Sequence, residues 1–97
     1  MGMRLILPLL ASASATGAPV VVPEGGLFQY LVNGTFTGAT ATLQVLSTDG
    51  TTYITVPNSS MTAAGALNVE LPQGVTVRAA LTGGTPTVMF ASLGFVR

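Results

Sequence analysis

Only six side chains in this 97-residue sequence carry a formal charge: Arg4, Glu24, Asp49, Glu70, Arg78 and Arg97. Reaction chemistry would have to be built from these, two tyrosines and the hydroxyls, because His, Cys, Lys and Trp do not occur. Without imidazole or thiolate there is no ordinary zinc or haem ligand set, no thiol nucleophile, no disulfide and no histidine acid or base. A carboxylate pair could serve glycoside hydrolysis, which needs two carboxyls flanking a sugar. Asp49 precedes Gly50 and reads as a turn, and Glu70 sits in a strand pattern. The six aromatics fall mostly at core-like positions rather than as sugar platforms. The sequence is therefore read as non-enzymatic, with no catalytic, cofactor-binding or metal-binding residue.

The remaining motifs read as structure. Gly25-Gly26 and Gly83-Gly84 begin no helix and so make turns, not phosphate cradles. Asn33-Gly34-Thr35 and Asn58-Ser59-Ser60 match the glycosylation sequon but read as loops. Threonine pairs such as Thr40 and Thr42 lack the fixed repeat of an ice-binding solenoid.

The elements that must position these residues are strands. From Leu27 onward apolar residues recur with period two and no segment has helical spacing. Ala41, Leu43 and Val45 alternate with Thr40, Thr42 and Gln44, and Ile54 and Val56 follow Asp49-Gly50. A two-residue type I′ turn there pairs Val45 with Ile54 and Leu43 with Val56. A three-residue loop, Pro72-Gln73-Gly74, predicts a second hairpin with Val69 opposite Val77 and Glu70 diagonal to Arg78. Further strands are predicted near Leu27–Val32 and over Thr87–Val96. The last has two apolar faces, Val88, Phe90 and Val96 against Met89, Ala91, Leu93 and Phe95, so it is either central or covered by a partner chain. Gly94 suggests a bulge or close approach. Six or seven short strands predict an all-β fold, a small antiparallel β-sandwich or jelly roll over residues 24–97.

Residues 1–23 are read as an extended N-terminal arm. Arg4, the apolar stretch Leu5–Leu10 and the Ala/Ser run imitate a secretion signal, but that stretch is short and broken by Pro8, so retention is expected. No charge lies between Arg4 and Glu24, yet Pro8, Gly17 and Pro19 make a poor membrane helix, and no membrane partner is expected. Nor is a nucleic-acid partner expected: three basic residues at net charge zero cannot neutralise enough phosphates.

Charged residues are 6% of the chain, against roughly 25% in an ordinary soluble domain. A domain this small leaves much apolar surface wet, and without lysine its strand edges lack their usual guard. A subunit interface is therefore expected, with homo-oligomerisation, through Leu5, Ile6, Leu7 and Leu9 of the arm, Val20, Val21 and Val22 near its end, and Met89, Leu93 and Phe95 of the last strand. Apolar packing and neutral hydrogen bonds should make its contacts indifferent to salt.

The run Gly34–Tyr53 resembles a pattern of small tailed-phage virion proteins. A Gly34-Thr35-Phe36 turn leads into Ala39-Thr40 and Leu43-Gln44, then Ser47-Thr48-Asp49-Gly50 and an aromatic strand ending in Val56. Leu71-Pro72-Gln73-Gly74 followed by Val75-Thr76-Val77-Arg78 is similar to the hairpin after it. The resemblance covers about half the chain, and departs at Tyr53, where Trp is usual, and at the apolar Val45-Leu46. It implies a virion structural protein: a trimeric decoration or cement protein on the capsid surface, contacting the major capsid protein and stabilising the head. Tail and head-fibre components share the pattern, and a secreted carbohydrate-binding or adhesin-like module is the alternative from another class.

Overall fold

The computed structural model describes residues 6–97 and contains eight strands. They are β1 (Ile6–Ala13), β2 (Val20–Val21), β3 (Gly26–Thr35), β4 (Thr40–Leu46), β5 (Tyr53–Thr55), β6 (Gly65–Leu71), β7 (Thr76–Thr82) and β8 (Thr87–Phe95). A first sheet runs in the order β1-β8-β3-β6 and a second in the order β2-β7-β4-β5, with every pairing antiparallel. Alternation sets what each strand buries. Phe28, Tyr30 and Val32 of β3 meet Met89 and Leu93 of β8 in one inner face, and Leu43 of β4 and Val77 of β7 belong to the other; all are fully buried.

The hairpin β4–β5 has the expected register: Val45 faces Ile54, and Val56 N donates to Leu43 O at 2.9 Å. Its turn differs. Gly50 has φ 79° but Asp49 is not in the left-handed region, so this is not a type I′ turn. Instead Ser47 N donates to Thr52 O (2.7 Å) and Gly50 N to Ser47 O (3.0 Å), a four-residue loop centred on the same point and therefore preserving the register.

The second hairpin does not form. β6 belongs to the first sheet, where Val69 pairs with Phe28, and β7 to the second, where Val77 pairs with Val20 and Val45. Pro72-Gln73-Gly74 carries the chain across the sandwich. The two apolar rows face the same core from opposite sheets, which satisfies the alternation just as well as direct pairing. Glu70 and Arg78 are consequently on different sheets and make no ion pair.

Nor is the N-terminal segment a detached arm from Ile6 onward. β1 pairs with β8 along the first sheet, Gly17 N donates to Ala79 O (3.0 Å), and β2 pairs with β7 on the second sheet. Leu9 and Leu10 are both buried because the β1 register shifts between Pro8 and Leu10. A side chain at Gly17 would meet the Leu9 carbonyl, so the crossing between sheets needs glycine there. The extended backbone that proline and the small residues favour is used inside the domain, as an edge of each sheet.

β8 is central, between β1 and β3. Gly94 sits in regular pairing opposite both Ile6 and Gln29; the irregularity in this strand lies at Val88, with φ 52°, beside a register shift between Asn33 and Thr35.

Candidate docking face

The outer surface of the first sheet is built from the cross-strand partners that alternation turns away from the core. One row runs Ile6, Gly94, Gln29, Asn68 and the next Pro8, Ser92, Leu31, Ala66; a third sets Phe90 beside Asn33. None of these side chains is charged. Ile6, Leu31 and Phe90 remain 56%, 47% and 43% exposed, large values for apolar residues on one sheet. Between them lies an open groove of about 480 Å³ lined by Pro8, Leu10, Ala11, Leu31, Asn33 and Phe90. A smaller hollow of about 170 Å³ continues it over Gln29 and Gly94 to Ile6. Single exposed apolar residues are ordinary, but a contiguous set around a groove marks an interaction surface. The amides of Gln29 and Asn33 and the Ser92 hydroxyl supply neutral hydrogen-bonding groups, giving the mixture suited to a protein surface rather than to a polyanion.

The outer face of the second sheet is mixed: Val21, 58% exposed, lies beside Thr76, and Gln44, Arg78 and Tyr53 share the face. Arg78 Nε donates to Gln44 Oε1 at 2.9 Å and its guanidinium lies 3.7 Å from the centroid of the Tyr53 ring. That stacking occupies one ring face, which a sugar would otherwise use.

The groups with potential chemistry are dispersed. Asp49 accepts from Thr51 N (2.8 Å), Thr52 N (2.9 Å) and Thr52 Oγ1 (2.7 Å). The Thr52 hydroxyl foremost, then the Thr51 and Thr52 amides, hold its carboxyl down to about 2. It is a turn-forming carboxylate. Tyr30 is buried in the core, its hydroxyl has no hydrogen-bond partner, and burial pushes its phenol well above the usual value. Among the described residues no group of three His, Cys, Asp or Glu could hold a metal ion.

The residues assigned from sequence to a subunit interface divide in four. Leu5 lies outside the described residues. Leu9, Val22, Met89 and Leu93 are covered by this chain's own core, so their side chains offer no surface to a neighbour. Leu7, Val20 and Phe95 are partly buried against that core, Phe95 with its ring edge-on to Phe28 at 5.4 Å between centroids. Ile6 and Val21 are open to solvent. Sequence reasoning missed Pro8, Leu31 and Phe90; its signal was the second apolar row of β8, but nothing in a two-sided apolar strand says which row faces inward.

Ser59 was also missed, inside what reads as a sequon loop. β5 ends at Thr55 and Pro57 has no N–H to extend the ladder, and the fully buried Ser59 hydroxyl takes over. It accepts from Leu43 N at 3.2 Å and donates to Val56 O at 2.7 Å, with Leu43 O also within 3.2 Å.

Comparison with protein-family models, curated proteins and solved structures gives no match.

Proposed function

We propose that this chain is a virion structural protein of a tailed phage, a decoration or cement subunit that lies on the head and docks through the outer face of the first sheet onto the major capsid protein. The observation that carries the reading is the uncharged face around Leu31 and Phe90, apolar enough to bury and rimmed by neutral amides. The resemblance of Gly34–Tyr53 to small virion proteins supports the class of assembly, and the scattered carboxylates support a binding rather than a catalytic role. Binding that favours the assembled shell over separated capsid subunits stabilises the shell by mass action.

Phe90→Asp places a charge at the centre of the groove without touching the core. The variant should fold with unchanged far-UV circular dichroism and fail to co-sediment with undecorated heads of the encoding phage, while the natural protein co-sediments and raises the temperature at which those heads rupture. Normal co-sedimentation of the folded variant would overturn the docking face; localisation of the natural protein to the tail would overturn the head assignment.

A further inference from the structure

Three of the four sheet edges are blunted. β1 carries Pro8 and two register shifts, β2 is two residues long between Pro19 and Pro23, and β5 is three residues long. The fourth edge, β6, runs seven residues from Gly65 to Leu71 in unbroken register against β3, with no proline and no lysine. An edge of this kind is a template for another strand.

Its free backbone groups can be assigned. Leu27 N donates to Arg97 O (2.8 Å) and Val96 N to Leu27 O (2.7 Å), so Leu27 directs both groups towards the β8 side of β3. In an antiparallel ladder that direction alternates, so Phe28, Tyr30 and Val32 direct theirs at Val69, Leu67 and Gly65. Ala66, Asn68 and Glu70 therefore point their N–H and C=O groups away from the sheet. All three residues are exposed.

We propose that β6 pairs with β6 of a second copy of this chain, antiparallel about a twofold axis through Asn68. In that register the whole seven-residue strand overlaps, Asn68 faces Asn68, and Ala66 faces Glu70. Every outward N–H meets an outward C=O of the other copy. A shift that sets Ala66 opposite Pro72 forfeits a donor, and one that sets Glu70 opposite Glu70 opposes like charges. In the full overlap the two Glu70 side chains stand four residues apart along the strand, about 13 Å at ~3.3 Å per residue. Leu67 and Val69, half-buried in the single chain, become cross-strand neighbours on the core side. Such self-complementarity is what an isologous contact requires. With the axis perpendicular to the sheet, the two outer faces lie on the same side of one eight-stranded sheet.

The test uses the purified chain alone, so its outcome is independent of whether the protein docks on a virion. Light scattering or sedimentation should give twice the 9.8 kDa chain mass at micromolar concentration. Asn68→Pro deletes an N–H that the single chain does not use, and should leave the circular dichroism intact while halving the mass. Asn68→Cys, in a chain without cysteine, should oxidise to a covalent dimer, since paired Cα atoms about 5.5 Å apart lie within the roughly 4.4–6.8 Å that a disulfide spans. Ala66→Cys, about 13 Å from its counterpart by the same strand rise, should not cross-link. The Asn68→Cys result decides if Asn68→Pro does not fold. A monomer throughout the micromolar range, a threefold mass, a folded Asn68→Pro dimer, or cross-linking through Ala66→Cys in preference to Asn68→Cys would overturn the proposal. So would a chain that stays monomeric and accepts a strand only from a different protein.

Discussion

Met89 and Phe90 are neighbours on β8 with nearly the same hydropathy and opposite fates, one fully buried and the other 43% exposed. Their sequence context could not separate them, because both rows of the strand are apolar; what separates them is the second sheet, which packs over the Met89 row and leaves the Phe90 row open. Ser59 and Tyr30 show the same dependence on surroundings for polar atoms. Ser59 substitutes for a missing strand, so Ser59→Ala should leave Leu43 N–H buried without a partner and cost about 1–3 kcal/mol, measured by urea unfolding. A loss below about 0.5 kcal/mol would show that water or backbone adjustment replaces the hydroxyl. Tyr30 is the converse: its hydroxyl satisfies nothing in the core. Tyr30→Phe should keep the ring packing and be neutral or stabilising by up to about 1 kcal/mol, whereas a clear destabilisation would reveal a partner for the oxygen.

At the scale of elements, the all-β class and the Val45–Ile54 register were legible, because period two fixes which residues share a face, whereas the last strand read equally as central or partner-covered and the sheet order makes it central. Pairing partners were less so. The alternation in β6 and β7 fits a hairpin and a sandwich crossing equally, and the short connection over residues 72–75 can do either. The N-terminal segment was misread for a related reason: its extended, uncharged character is visible, but its partner is the domain's own pair of sheets rather than a neighbour. Of the docking face, only the second apolar row of β8 could be seen in advance, since the groove depends on Pro8 and Leu31 arriving from strands distant in sequence. The integration of β1 and β2 has a sharp consequence. Deleting residues 1–23 removes Leu9, Leu10 and Val22 from the core, at about 1.5–3 kcal/mol of burial each, comparable with the roughly 5–15 kcal/mol that holds a typical domain together. The truncated chain should show no cooperative thermal unfolding. A sharp transition near that of the full chain would contradict the fold described for this segment.

For the whole molecule, the two sheets have different outer surfaces. The second carries Arg78, tied to Gln44 and Tyr53, together with exposed Val21; the first is uncharged across three cross-strand rows and open around Phe90. Under the proposed function, the uncharged face of the first sheet is the docking side. The sheet order places Glu70 and the free β6 edge at the margin of the docking face, where a second copy could extend it without covering the groove. The most direct test of this account is a cryo-electron microscopy map of the native virion with the domain fitted into it. The domain is expected on the head, with Leu31 and Phe90 against capsid protein and Arg78 and Tyr53 towards solvent. A fit with the second sheet against the shell and Phe90 in solvent would contradict it.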